Sequence, residues 1–235
     1  MIAAVVNALA IVAGSVLGVL SGGRLREEHT VTIVKALSIV VLVLGVSSAI
    51  KTASILCMVV CLVLGSILGE ALRLEQRLDR LGELLKARFA RGASAGSFTQ
   101  GFVTASLLFC IGSMAVMGSL EAGLNHNYSI IFSKSVIDGI MAVTFAAAMG
   151  IGTAFSALPV FVWQGLLTLL ASLLAPALSD SVVTEMSAVG GVLLIATGIN
   201  MLGLAKERIR VGNMLPAILL PIAYLPAARW LATLF

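Results

Sequence analysis

Uninterrupted apolar stretches recur along the whole chain and are separated by short polar segments. The stretches do not alternate between apolar and polar positions, as the strands of an outer-membrane barrel would. A helix of about 20 apolar residues crosses the hydrocarbon core of a bilayer and satisfies its own backbone hydrogen bonds there. The pattern therefore predicts eight membrane-spanning helices, at residues 2–21, 31–50, 52–72, 99–120, 130–156, 158–178, 185–204 and 213–232.

The composition agrees with this pattern, since 60% of the residues are hydrophobic, 11% are charged and the mean hydropathy is +1.11. Soluble domains carry about 25% charged residues. We expect an all-α membrane protein with a single polytopic membrane domain over residues 1–235. The pI near 9.3 does not indicate a nucleic-acid partner, because the basic residues cluster in a few loops. The expected partner is the lipid bilayer, and no cofactor is expected.

The positions of lysine and arginine predict the orientation of the helices. Eleven basic residues follow the first, third and seventh predicted spans, and an eight-span arrangement places these three loops on one side of the membrane. The loops of the opposite side contain a single basic residue, Lys51. The positive-inside rule therefore predicts that the basic loops are cytoplasmic and that both termini lie outside.

One segment outside the predicted spans has the pattern of an amphipathic helix, at residues 73–98. Its apolar stripe comprises Leu74, Leu78, Leu81 and Leu85, and arginines flank the stripe. Such a helix either lies along the cytoplasmic membrane surface, where basic residues meet anionic lipid, or packs against its own protein. The pattern fits both arrangements equally well.

Two opposite charges lie within the fifth predicted span, Lys134 and Asp138. They are one helical turn apart and can pair on one face. Charges at membrane depth usually face a cavity or a partner, because lipid does not solvate them. Asp138 is therefore a candidate for binding a proton or cation, with Lys134 balancing its charge. The alternative is an ion pair that only holds helices together.

Two segments combine weak helix formers with apolar residues and are candidate helix breaks. They contain Gly112 and Gly118 in the fourth span, and Gly150 and Gly152 near the end of the fifth span with Pro159 at the start of the sixth. Interrupted helices in transporters expose backbone groups to a substrate or ion. Glycine is also common in membrane helices as a packing residue, which is the alternative here.

Four further polar residues are candidates for binding a substrate or ion: Ser113, Glu121, Gln164 and Asn200. Glu121 lies near a predicted span end, where water at the interface also explains it. Gln164 and Asn200 have interhelical hydrogen bonding as their alternative role. No metal site is expected, because Cys57 and Cys61 lack histidine partners and are typical of apolar packing.

Pairs of small residues at i and i+4 allow two helix backbones to approach closely. Gly14 with Gly18 and Gly65 with Gly69 form such pairs. They pack either against other helices of the same chain or against a second copy in a homo-oligomer.

Several sequence blocks resemble a prokaryotic inner-membrane family typified by YqgA and YdfK and catalogued as a domain of unknown function. The blocks are GFVTASLLFCIGSMAVMGSLEAGL, KSVIDGIMAVTFAAAMGIGTAFSALPV, WQGLLTLLA and GGVLLIATGINMLGL, with looser similarity in NALAIVAGSVLG and GNMLPA. The resemblance implies a multi-pass protein of the prokaryotic cytoplasmic membrane and gives no substrate. It also implies that the following residues fall in recurrent blocks: Cys110, Gly112, Glu121, Lys134, Asp138, Gly139, Gly150, Gly152, Ser156, Pro159, Gln164, Gly190, Gly191 and Asn200.

The sequence contains no phosphate-binding loop, zinc-protease motif or nucleophile elbow, so an enzyme is not expected. The leading hypothesis is a membrane transporter for a small solute or ion, coupled to a proton or Na+, with a polar site formed between the fourth, fifth, sixth and seventh spans. An ion channel is the first alternative. The second is a non-transporting membrane scaffold or sensor that uses the basic amphipathic helix.

Overall fold

A computed structural model describes residues 1–22, 27–89 and 98–232, and every regular element among these residues is helical. This confirms the all-α membrane fold. The elements are α1 (Ile2–Gly22), α2 (Glu27–Ala49), α3 (Ile55–Ala71), α4 (Leu74–Phe89), α5 (Phe98–Cys110), α6 (Ser113–Leu124), α7 (Ser129–Met149), α8 (Gly152–Phe155), α9 (Ala157–Leu169), α10 (Ala171–Leu174), α11 (Asp180–Leu202), α12 (Val211–Met214), a 3₁₀ turn (Leu215–Ile218) and α13 (Pro221–Ala232).

By length and composition, the described part of the chain contains five to eight candidate membrane spans. Five stretches are long and apolar enough to cross a bilayer unaided: α1, residues 31–49 of α2, α7, α8 with α9, and α11. Three bent pairs supply up to three more spans: α3 with α4 and α5 with α6, each bent by 60°, and α12 with α13, bent by 44°. Each of the eight predicted spans overlaps one of these units, and the third overlaps only the α3 part of its bent pair.

The predicted boundary between the fifth and sixth spans is wrong by several residues. The fifth span was expected to continue to residue 156, but α7 ends at Met149 and α8 begins at Gly152. The chain turns at Gly150, whose φ is 79°. That value is accessible to glycine at little cost, whereas it strains other residues.

The close-packing glycines pack within the chain. A Cβ at Gly14 or Gly18 would overlap backbone atoms of α7, at Gly139 and Val143 respectively. A Cβ at Gly65 or Gly69 would overlap the α12 region, at Ala217 and Asn213. The homo-oligomer alternative for these four glycines is therefore wrong, because their faces are already covered by the same chain. Helices α1 and α7 run parallel, because Gly14 faces Gly139 and the later residue Gly18 faces the later residue Val143.

Helix α4 covers the first part of the expected amphipathic segment, up to Phe89, and residues 90–97 lie outside the described residues. Gly82 packs against Thr99 at the start of α5, while Leu74, Leu78 and Leu85 are partly buried. Leu81 is 43% exposed, so it does not belong to the packed stripe. Packing of α4 on its own protein is thus observed, and it uses three of the four leucines.

Candidate functional site

An ion pair is buried at the centre of the candidate site. Lys134 Nζ lies 2.5 Å from Asp138 Oδ2, and each side chain is 7% exposed. The two residues are one turn apart on α7, so the pairing is fixed by helix geometry. Both charges are largely withdrawn from water, and each therefore depends on the other for compensation.

Two buried amides extend this pair to neighbouring helices. Asn7 Nδ2 of α1 donates to Asp138 Oδ2 at 3.0 Å and to Gln164 Oε1 of α9 at 3.2 Å. Among the described residues, Asn7 Oδ1 and Gln164 Nε2 have no hydrogen-bond partner, although both side chains are completely buried. A water molecule can accept from one and donate to the other, so the cluster is suited to hydration.

A helix break lies beside the ion pair, between α5 and α6. Helix α5 ends at Cys110, α6 begins at Ser113, and Gly112 between them has a φ of 128°. No side chain caps the N-terminus of α6. The first N–H groups of a helix have no intrahelical partner and favour negative charge.

A cavity of about 360 Å³, called here the pair cavity, joins these features. Its wall contains Lys134 and Asp138 of α7, Gly112 and Ser113 at the break, and Lys51 after α2. Most of the remaining wall is apolar and comes from α2, α5, α6, α7 and α11: Val40, Leu44, Leu108, Phe109, Ile111, Met114, Ala115, Ile137, Met141 and Leu194, with Ser48 and Ser187 as further polar members.

A second cavity, called here the α4 cavity, has a volume of about 610 Å³ and lies at the other end of α11. Its wall includes three carboxylates of α4, from Glu75, Asp79 and Glu83. Arg208 bridges two of them, at 3.3 Å from Glu75 and 3.6 Å from Asp79. This cavity is therefore acidic, whereas the pair cavity contains two lysines and one aspartate.

The predicted site residues do not all lie at the same cavity. Asp138, Lys134 and Ser113 line the pair cavity, and Gln164 reaches Asp138 through Asn7. Asn200 does not belong to this site, because it lines the α4 cavity and its amide exchanges two hydrogen bonds with the backbone of Ile209.

Glu121 also lies apart from the pair cavity. It is near the end of α6 and accepts a hydrogen bond from the Asn125 side chain at 3.2 Å. Its expected place in the site is therefore not supported by the geometry, and interface solvation explains it. Asn7 and Lys51 belong to the site but are not among the residues predicted from the sequence; only the packing of α1 on α7 brings Asn7 to Asp138.

The expected helix breaks are observed at two of the five positions, Gly112 and Gly150. Gly118 lies inside α6 and packs against Ile130 and Ile131. Gly152 is the first residue of α8, and Pro159 lies in the first turn of α9, where a missing N–H is tolerated. These three residues flank or pack beside the breaks but do not form them.

Comparison with known proteins identifies a family. The family described as "Protein of unknown function (DUF554)" matches residues 2–225. The chain is 29% identical over 226 residues to "Uncharacterized membrane protein YdfK" of Bacillus subtilis (strain 168), covering 94% of each chain. It is 32% identical over 230 residues to "Uncharacterized protein YqgA" of Escherichia coli (strain K12), covering 97% of this chain and 96% of the relative. No solved structure matches. The family resemblance in the sequence blocks is thus confirmed.

Proposed function

The chain belongs to the DUF554 family, and we propose that this multi-pass membrane protein is a transporter for a small solute or ion, coupled to a proton or Na+. We place it in the cytoplasmic membrane of a prokaryote, with the basic loops cytoplasmic and both termini outside. In this orientation the pair cavity faces outward and the α4 cavity faces the cytoplasm.

The observation that carries the proposal is the buried ion pair in the wall of a cavity at an interrupted span. A charge at membrane depth costs at least about 3 kcal/mol, and two such residues commonly mark an ion or substrate path. The pair cavity adds a concave site with few polar groups among apolar ones, which is typical of small-molecule sites. The break at Gly112 exposes backbone groups to the same space, as in known transporter architectures.

The relation between the two cavities favours a transporter over a channel. Along α11, Ser187 and Leu194 border the pair cavity, whereas Thr197 borders the α4 cavity. Leu194 and Thr197 are about 4.5 Å apart along the helix axis. Leu107 of the α4 cavity wall and Leu194 of the pair cavity wall belong to one buried apolar cluster. Two cavities that share an apolar cluster are compatible with alternating access, in which a site opens to one side at a time.

Flux in proteoliposomes tests this proposal. Purified protein is reconstituted with the pH dye pyranine inside, and uptake of protons, ²²Na+ and radiolabelled pools of small carboxylates, amines and amino acids is recorded. We expect wild-type protein to move at least one solute together with an ion. Asp138→Asn should remove the coupled movement, because it cannot gain and lose a proton. Glu121→Gln is the matched control, since this carboxylate lies outside the pair cavity.

Two results would contradict the proposal. One is wild-type flux no greater than that of protein-free liposomes for every probe. The other is coupled flux through Asp138→Asn equal to that of Glu121→Gln, because the buried carboxylate would then have no part in transport.

A further inference from the structure

The charges of the pair cavity favour an anionic ligand. Lys51 and Lys134 contribute two positive charges to its wall, and Asp138 contributes one negative charge. No other acidic residue among the described ones lines this cavity. The uncapped N-terminus of α6 opens beside the same wall and adds partial positive charge. The charged side chains that line the cavity therefore sum to one positive charge, and the buried Glu185 carboxylate, bound to Thr52 and to the backbone N–H groups of Ala53 and Ser54 next to Lys51, lies outside the lining.

The donor set around Asp138 is poorly suited to a bound metal cation. Its Oδ2 atom already accepts from the Lys134 ammonium and the Asn7 amide. Ser135 uses its hydroxyl on the Ile131 carbonyl. A hard cation such as Na+ or Ca²⁺ prefers several oxygen ligands, as the coordination of Ca²⁺ by six to eight oxygens illustrates. Here it would instead meet an ammonium group 2.5 Å from the carboxylate.

The balance of charge at a site deep in the membrane also favours an anionic ligand over a cation. The resting pair carries no net charge, since one ammonium faces one carboxylate. A cation added to it leaves one uncompensated positive charge in a poorly solvated place, which is costly. A proton and an organic anion added together leave the site neutral, because Asp138 becomes a carboxylic acid and Lys134 pairs with the incoming carboxylate.

We propose that the ligand of the pair cavity is a small organic carboxylate with an apolar body, and that a proton bound by Asp138 releases Lys134 to pair with it. This inference rests on the proposed transport function and names its substrate class and coupling ion. One proton adds to the Asp138 carboxylate, the ion pair within α7 opens, and the ammonium keeps its charge. The apolar body lies against Ile111, Ile137 and Met141.

The titratable groups near Asp138 come from three elements. Lys134 lies on α7, Cys110 ends α5, and Lys51 follows α2. Asn7 of α1 and Gln164 of α9 contribute neutral amides next to Asp138, and Ser187 of α11 contributes a hydroxyl to the cavity wall. Helix α11 also carries the buried Glu185 carboxylate, which is bound to residues 52–54 after Lys51. Of these groups, Asp138 is the one whose neutralisation changes the partner of Lys134.

Calorimetric binding to purified protein in detergent tests the inference with three probes of similar carbon skeleton. The probes are the anion 3-methyl-2-oxobutanoate, the neutral isobutyramide and the cation isobutylammonium. The wild-type protein should bind the anion best. Its affinity should rise as pH falls, by up to about tenfold per pH unit, which is the limit for uptake of one proton.

Variants of the two charged residues test the same inference with the anionic probe. Asp138→Asn resembles the protonated state, so it should bind the anion at neutral pH with little pH dependence. Lys134→Met should lose the anion at every pH. Glu121→Gln should behave as the wild type, and size-exclusion profiles show whether each variant is folded. If a variant does not fold, the pH dependence of anion binding to the wild-type protein tests the inference by itself.

Preferred binding of isobutylammonium, pH-independent binding of the anion to the wild type, or loss of anion binding in a folded Asp138→Asn would each overturn the inference. So would the absence of anion binding up to about 10 mM, near the weak end of specific affinities. Coupled flux of a cation in proteoliposomes would overturn this inference and leave the proposed transport function standing. Anion binding without any flux would support this inference and contradict the proposed transport function.

Discussion

Replacing Lys134 by methionine removes the ammonium from the buried ion pair and keeps a side chain of similar length. The carboxylate of Asp138 then has only the Asn7 amide as a donor. With the charges 2.5 Å apart and an effective dielectric of about 20, the Coulomb attraction is about 7 kcal/mol. Desolvation of the two ions offsets part of this attraction, and breaking a buried pair from one side usually costs about 3–5 kcal/mol.

We therefore expect Lys134→Met to lower the free energy of unfolding by about 3–5 kcal/mol. The double variant Lys134→Met with Asp138→Asn should recover part of that loss, because no charge is then left unpaired. The assay is a titration of SDS into detergent micelles followed by circular dichroism. Glu121→Gln serves as the surface control and should change stability by no more than about 0.5 kcal/mol.

A single outcome refutes the reasoning behind this prediction. If Lys134→Met unfolds at the same SDS fraction as Glu121→Gln, and the double-variant cycle shows no coupling, the pair is solvated. A solvated pair would remove the argument from charge balance as well, since adding an uncompensated charge would then cost little.

Three further expectations concern the helix break, the close packing and the orientation. Gly112→Ala should destabilise the protein by about 1–3 kcal/mol through backbone strain alone, because the φ of 128° is rare for L-residues while open space surrounds the missing Cβ; thermal unfolding measures this. Gly69→Ala should reduce folded yield more severely in fluorescence size-exclusion, since a Cβ there would overlap the Asn213 backbone. In a variant lacking native cysteines, Lys51→Cys should react with an impermeant maleimide from outside, and Arg208→Cys only after permeabilisation; the reverse pattern would overturn the orientation.

Features set by a single helix were predictable from the sequence. The spans follow from apolar length, because the bilayer fixes how many residues a crossing helix needs. The pairing of Lys134 with Asp138 follows from their spacing, since side chains four residues apart share a helix face. The break at Gly112 follows from weak helix propensity at that position.

Features set by the packing of two helices were not predictable in this way. Asn7 joins the site because glycines let α1 lie close along α7, and the sequence does not give the relative rotation of these helices. Asn200 was expected in the same site from its depth alone. It instead holds the Ile209 backbone at the far end of α11, since an unpaired backbone group there needs a partner.

Helix α5 borders both cavities through adjacent residues. Leu107 borders the α4 cavity and the next residue, Leu108, borders the pair cavity. Consecutive residues on a helix point about 100° apart, so these cavities meet α5 on different sides at nearly the same height. Helix α5 ends two residues before Gly112, where the backbone has the fewest steric constraints. A substitution that changes the bend at Gly112 is therefore expected to alter the α5 side of both cavities, whereas Lys134 and Asp138 on α7 line the pair cavity alone.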